Sequence, residues 1–196
     1  MTRQETERAL LEFADFVHQT TLYVIGSQAV YGAYPDFDLG VVLASKDIDV
    51  FTIPYLERWW LSVNEQFGSD SDFDIERGYY VDMVKPELPR LPLDWKDRAI
   101  RRVIGTIDID GRLENVTAVF PETHDLAASK IAIGRDQDVA FLSGLIEAGL
   151  IERDLLEARL RCAPRMDQKR LDESLERVHA AFDLSQRDSG PSGRQT

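Results

Sequence analysis

The segment from Tyr23 to Phe51 constrains the fold of this chain more than any other part. Two short apolar runs, 22–25 and 46–51, have the length and composition of buried strands, and the pair Gly26-Ser27 directly follows the first run. Glycine allows the backbone to turn sharply, and Ser27 then opens a short helical run. We therefore expect a strand, a tight turn, a helical turn, a loop and a second strand.

The second strand carries two carboxylates, Asp47 and Asp49, on either side of Ile48. Because residues two apart in a strand share one face, both carboxylates are expected to point to the same place. Like charges this close repel each other, and a divalent cation between them removes the repulsion. Mg²⁺ (or Mn²⁺) suits such a pair, since it takes carboxylate oxygens and leaves positions open for substrate phosphates. Free N–H groups after the Gly26-Ser27 turn are expected to hold a phosphate.

The spacing alone has low specificity, because several other aspartate pairs in the chain share it. Those pairs lie in polar or turn-like surroundings and are interpreted as loops, and Asp110-Gly111 is typical of a hairpin turn. Only the pair at 47 and 49 has both the strand context and the upstream Gly-Ser. The alternative is a surface strand with a chance pair. The other pairs are Asp36/Asp38, Asp70/Asp72, Asp72/Asp74 and Asp108/Asp110.

The Gly26-Ser27 turn followed by Asp47-Ile48-Asp49 resembles the core signature of the DNA polymerase β-like nucleotidyltransferase superfamily. The segment 122–138 is similar to the Lys…Arg…Asp helical motif of minimal bacterial nucleotidyltransferases, which include AbiEii-like toxins and the MenT-type toxins that modify transfer RNA. The resemblance covers roughly residues 20 to 160. The chain departs from the pattern at Ser45-Lys46, where related proteins often carry Arg or Thr.

The resemblance implies a third carboxylate on a neighbouring strand, which would help to deprotonate the attacking hydroxyl. Asp82 is the candidate because its strand comes next, and Asp108 is the runner-up. The alternative for Asp82 is an ordinary polar residue of an edge strand. The predicted metal ligands are therefore Asp47, Asp49 and Asp82, and the same three residues are predicted to be catalytic.

The helical motif supplies Lys130, Arg135 and Asp138. If the helix is unbroken, Lys130 and Asp138 lie about 80° apart around its axis and can border one cleft. Lysine at such a place can hold the β- and γ-phosphates as a point charge. Lys130 and Asp138 are thus predicted to be catalytic, although ordinary charges on an exposed helix would give the same pattern. The predicted substrate-binding residues are Gly26, Ser27, Lys46, Lys130 and Arg135.

Composition limits the possible partners. The 196 residues carry a net charge of −12, which is unusual for a protein that grips long duplex nucleic acid and makes a basic partner plausible. One basic cluster is a candidate grip on RNA backbone or triphosphate. The alternative is a solvated helix face. The cluster comprises Arg90, Lys96, Arg98, Arg101 and Arg102.

Cysteine content and hydropathy indicate a cytoplasmic protein without a membrane partner. Cys162 is the single cysteine, so no internal disulfide is possible. No apolar run approaches the ~20 residues that span a bilayer. The first residues lack the basic start and apolar core of a signal peptide.

The order of patterns predicts an α/β (α+β) chain, with a small mixed sheet flanked by helices and followed by a C-terminal helical bundle. We expect a nucleotidyltransferase core over 1–121, a helical unit over 122–184 and a disordered tail over 185–196. A helix is predicted from Pro54 to Gly68, and one continuous helix over 123–148.

The resemblance implies a metal-dependent enzyme that moves a nucleoside monophosphate from a nucleoside triphosphate to a hydroxyl acceptor. It favours a transfer RNA 3′ end as the acceptor, in the toxin of a toxin–antitoxin pair with a cognate antitoxin as partner. Two alternatives stay open: nucleotidylation of a protein or small molecule, and an inactive nucleotide-binding module.

Overall fold

The computed structural model describes residues 1–36 and 45–188 and divides them into two compact units. The first unit contains Met1–Pro89 and Asp94–Glu122, and the second contains Arg90–Leu93 and the chain from Thr123 onward. Asp38, a member of one of the aspartate pairs, lies outside the described residues, as do residues 189–196 of the predicted tail.

The first unit is built on a five-stranded mixed sheet in the order β3-β2-β1-β5-β4. Strand β1 pairs antiparallel with β2 and parallel with β5, and β2 pairs parallel with β3. This mixed sheet, flanked by helices, confirms the predicted fold class. The strands are β1 (Thr21–Ile25), β2 (Asp47–Phe51), β3 (Tyr80–Met83), β4 (Ile100–Ile109) and β5 (Arg112–Phe120).

Helices of the first unit cover the sheet. A capping box starts α1 (Arg3–Val17): the Glu5 N–H donates to the Thr2 hydroxyl, and the Thr2 N–H donates to the Glu5 carboxylate. Leu10 and Phe13 of this helix are fully buried. The short helical turn predicted after Gly26 is a 3-10 helix. The remaining elements are that 3-10 helix (Ser27–Gly32), a second one (Glu57–Trp59), α2 (Trp60–Phe67), α3 (Asp72–Arg77) and α4 (Trp95–Arg98).

Two local predictions for this unit were wrong. The helix expected from Pro54 begins at Trp60, after the 3-10 turn, although it ends before Gly68 as predicted. The run 70–74, interpreted as a loop, contains the start of α3. The Ser71 hydroxyl accepts the N–H of Asp74 there and caps that helix, a local signal that the aspartate-rich composition obscured.

The second unit is helical, with α5 (Thr123–Ile133), α6 (Asp136–Glu147), α7 (Arg153–Arg161) and α8 (Gln168–Asp188). The single helix expected over 123–148 was wrong, because Gly134 adopts a φ of +77° and ends α5. Helix α8 extends to Asp188, past residue 185 where the tail was predicted to begin. No helix among residues 1–36 and 45–188 is long and apolar enough to cross a membrane.

Candidate active site

Three aspartates lie on one face of the neighbouring strands β2 and β3. The residues that alternate with them, Ile48 and Val50 on β2 and Val81 on β3, are buried in the core. Asp47 and Asp49 are partly exposed and Asp82 is exposed, so all three carboxylates belong to the opposite face of the sheet. The shared face predicted for Asp47 and Asp49 is therefore confirmed, and β3 adds Asp82 to it.

Strand register places Asp82 directly across from Asp49 in the parallel β2–β3 pair. The runner-up, Asp108, pairs with Leu113 in the β4–β5 hairpin, and both β1 and β5 separate β4 from β2. Asp108 also accepts the N–H of Gly111 at 2.6 Å, which stabilises the hairpin turn. Of the two candidates for the third carboxylate, only Asp82 lies beside the pair on β2.

The backbone of Gly26 lies directly against the carboxylate of Asp49. Its backbone has φ +72° and ψ −167°, a region essentially restricted to glycine. A Cβ at this position would lie 2.9 Å from Asp49 Cγ and would overlap Asp49 Oδ2. The Gly-Ser turn and the aspartate strand therefore meet at one point, and any larger side chain at 26 would displace the carboxylate.

The aspartate face carries a concentrated negative charge. Partial desolvation, and next the charge of Asp47, raise the pKa of the Asp82 carboxyl above its ordinary value. Burial raises the pKa of the neighbouring Tyr80 phenol, and the charges of Asp47, Asp82 and Asp49 raise it further. Desolvation is the larger cause in both residues, and the charges of the neighbouring carboxylates act in the same direction.

The donor set of this face fits a hard divalent cation. Carboxylate oxygens are preferred by Mg²⁺, which also keeps waters or phosphate oxygens among its ligands. Within residues 1–36 and 45–188, no three acidic, histidine or cysteine side chains converge as a ready-made metal cluster. Unless the side chains move, the protein would supply only some of the ligands of a cation bound here.

Gln28, which the sequence analysis did not single out, and Ser45, noted there only as a departure from the family pattern, link the start of β2 to the helical turn after Gly26. The Ser45 hydroxyl donates to Asp47 Oδ1. Gln28 is fully buried, and its amide donates to the Ser45 carbonyl at 3.2 Å. Its Oε1 has no hydrogen-bond partner among the described residues. A glutamine inside an otherwise apolar helical turn was the available signal. Lys46 itself is exposed beside Asp47.

The second unit brings together the three residues of the helical motif. Lys130 is only 8% exposed, its Nζ lies 3.6 Å from Asp138 Oδ1, and it sits 4.8 Å from the centre of the Phe141 ring. Arg135 contacts the same fully buried carboxylate through Nε at 3.0 Å and Nη2 at 3.2 Å. Asp138 is thus paired with two cations. The turn at Gly134, not a continuous helical face, brings them together.

Several side chains of the basic cluster, the candidate grip on RNA backbone or triphosphate, make contacts within the protein. Arg98 makes two hydrogen bonds to Asp94, at 2.6 and 2.8 Å, and Arg102 donates to the carbonyl of Tyr31 at 3.2 Å. Lys96 lies 5.5 Å from the centre of the Tyr23 ring. Arg90 belongs to the second unit. Arg102 thus joins β4 to the 3-10 helix after Gly26, whereas Lys96 and Arg101 are exposed. Adjacency in sequence could not reveal this difference.

A five-stranded mixed sheet, with an aspartate face beside a Gly-Ser turn, is consistent with the nucleotidyltransferase fold. Comparison with known families agrees, since residues 6–182 match the family described as "Nucleotidyltransferase of unknown function (DUF6036)". The chain belongs to this family, and a nucleoside triphosphate is the substrate that such membership implies. No curated protein and no solved structure matches the chain significantly.

Proposed function

We propose that this protein transfers a nucleoside monophosphate from a nucleoside triphosphate to a transfer RNA 3′ end, with Mg²⁺ or Mn²⁺ as cofactor. We further propose that it acts as the toxin of a toxin–antitoxin pair. The observation that carries the chemistry is the common face of Asp47, Asp49 and Asp82, with Gly26 kept bare against Asp49. The choice of acceptor and the toxin role rest on the resemblance to AbiEii-like and MenT-type proteins.

Asp47, Asp49 and Asp82 would hold the cation. When bound, such a cation would supply positive charge that offsets the negative charge developing on the attacking and leaving oxygens. Ser45 restrains the carboxylate of Asp47 through its hydroxyl, and the close approach of Gly26 limits where Asp49 can lie. Lys46, Ser27 and the N–H groups after Gly26 are proposed to contact the phosphates.

Asp82 is the candidate for moving the proton. It lies directly across from Asp49 on the neighbouring strand, so an acceptor hydroxyl bound at the aspartate face would lie within its reach. It would accept the proton of the acceptor hydroxyl while that oxygen attacks the α-phosphorus. The bond to the β-phosphate oxygen then breaks, and pyrophosphate leaves.

A protein or small-molecule acceptor is the second candidate. The chain has a net charge of −12, and Arg98 and Arg102 of the basic cluster make internal contacts, so an acceptor with less negative charge than RNA meets less repulsion. The chemistry at the aspartate face would be the same. Only the acceptor would differ.

Incubation with each α-labelled nucleoside triphosphate, Mg²⁺ and total cell RNA and protein tests both candidates. Label in transfer RNA supports the first, and label in protein supports the second. Asp49→Asn should abolish labelling. Asp110→Asn is the matched control, because Asp110 has the same spacing to a neighbouring aspartate but lies exposed in the hairpin turn, where Asn is well tolerated. Equal labelling by the parent and Asp49→Asn would refute the proposed site.

A further inference from the structure

The second unit contains a polar cavity of about 160 Å³ where helix α5 ends. This is several times the roughly 30 Å³ that a water molecule takes in the liquid. Three arginines line the cavity, Arg90, Arg170 and Arg177, against a single carboxylate, that of Glu173. In a chain with a net charge of −12, this is a notable local excess of positive charge.

Capping of α5 accounts for only part of this charge. Arg90 donates through Nη1 to the carbonyl of Ala132 at 2.9 Å, and the Ser174 hydroxyl donates to the carbonyl of Ile131 at 3.3 Å. These bonds satisfy carbonyls at the negative end of the helix dipole. One guanidinium has five N–H donors, so Arg90 keeps donors beyond this bond. Within the part of the chain that the structure describes, Arg170 and Arg177 make no side-chain hydrogen bond to a carbonyl of α5.

The side chain of Arg177 lies against the backbone of Gly134. A Cβ added to Gly134 would lie 2.9 Å from Arg177 Nη1 and 3.1 Å from its Cζ, so the guanidinium packs directly against the backbone of the turn. Among residues 1–36 and 45–188, no carboxylate forms an ion pair with Arg90, Arg170 or Arg177. Arg90 and Arg177 are partly buried and Arg170 is exposed at the rim of the cavity. Cations grouped in this way without a paired carboxylate are suited to an anion from outside the protein.

We propose that this cavity, which we call the arginine cavity, binds a phosphate group through Arg90, Arg170 and Arg177. Planar guanidinium groups match phosphate oxygens in paired hydrogen bonds, and several around one space select a multiply charged, tetrahedral oxyanion. The phosphate can come from free phosphate, from a nucleotide or from an RNA backbone. This assignment does not depend on the proposed function of the aspartate face.

Titration with inorganic phosphate at constant ionic strength tests the arginine cavity, followed by the ¹⁵Nε resonances of the arginines. We expect saturable shifts for Arg90, Arg170 and Arg177. Arg170→Gln and Arg177→Gln should each weaken binding roughly tenfold, since each removes charge-assisted hydrogen bonds. Arg161→Gln is the control, because Arg161 lies in the same unit but pairs with Glu157. Shifts that do not saturate, or equal losses in the control, would overturn the assignment.

A second variant tests the cavity by an expected gain in affinity, which a failure to fold could not produce. Glu173→Gln removes the one carboxylate of the cavity, so phosphate should bind roughly threefold to tenfold more tightly. Glu176→Gln, on the same helix but outside the cavity, should change affinity little. An equal gain in both variants, or no gain in Glu173→Gln, would contradict the proposal.

Competition by a nucleoside triphosphate or by a single-stranded RNA decamer then identifies the source of the phosphate, and competition by neither assigns the cavity to free phosphate.

Discussion

Gly26 and Asp49 fit against each other so closely that a Cβ on the glycine would overlap the carboxylate of the aspartate. Strands β1 and β2 are paired with Ile25 opposite Asp49, so the contact is set by the antiparallel register. Two separate constraints therefore favour glycine at position 26: the positive φ of the backbone, and the space that the Asp49 carboxylate occupies.

Gly26→Ala should abolish transfer and destabilise the fold by about 1 to 3 kcal/mol through backbone strain. Gly78→Ala is the control, since Gly78 also has a positive φ but a Cβ there meets no atom within 4 Å. That variant should lose about 1 kcal/mol of stability and keep its activity. Urea unfolding and nucleotide transfer measure the two effects. Full activity in Gly26→Ala would show that transfer does not require the Asp49 carboxylate to lie against residue 26.

Asp47→Asn should leave the fold intact and lower turnover by orders of magnitude, if Asp47 binds the catalytic cation. Ser45→Ala should have a smaller effect, roughly threefold to tenfold, because it removes one hydrogen bond that orients the same carboxylate. Steady-state rates over a range of Mg²⁺ concentrations distinguish the variants. If Asp47→Asn transfers nucleotide at a near-parental rate in Mg²⁺, the metal site lies elsewhere.

Asp82→Asn should lower activity without lowering stability at neutral pH. The pKa of Asp82 is raised in the folded protein, so the folded state binds more protons than the unfolded state between the ordinary value of about 3.9 and the raised value. The contribution of Asp82 to the free energy of unfolding therefore falls as the pH rises through that window. Above the window the ionised carboxylate destabilises the folded protein. Removing the charge removes the penalty.

Urea unfolding at pH 4 and pH 7, without divalent cations, measures this effect of Asp82. The parent should lose more stability than Asp82→Asn on going to pH 7. Asp110→Asn, which alters an exposed aspartate of the same unit, should follow the parent. An identical pH dependence in parent and Asp82→Asn would show that Asp82 does not carry this penalty.

Lys130→Met should destabilise the second unit by about 1 to 3 kcal/mol, because the buried carboxylate of Asp138 loses one of its two cations. Asp138→Asn in the same background should restore part of that loss, so the two changes should not be additive. Unfolding of the single and double variants measures the coupling. If the losses of stability were additive, Lys130 and Asp138 would not stabilise the protein through their ion pair.

The same Lys130 variant tests its predicted role at the triphosphate. If Lys130 binds phosphate, nucleotide affinity measured by calorimetry should fall together with stability. If it serves only to neutralise Asp138, stability should fall and affinity should stay at the parental value. The second result would reassign Lys130 to the internal structure of the helical unit.

Local patterns in the sequence determined much of the sheet and of the aspartate face. Alternation of polar and apolar residues predicted that Asp47 and Asp49 share a face while Ile48 and Val50 are buried, because the two-residue period of a strand is a property of the backbone itself. The hairpin at Asp110-Gly111 was also predictable, because Asp-Gly is favoured where both central residues of a turn need a positive φ, and both residues have it here.

Tertiary structure alone decided which distant groups meet. The choice of Asp82 over Asp108 depends on strand order and register, and the contact between Gly26 and Asp49 depends on how β1 pairs with β2. The break at Gly134 turned a predicted helical face into a buried ion pair between Lys130 and Asp138. Pairing register and burial are set by contacts between segments far apart in the chain, and no local period of the sequence carries that information.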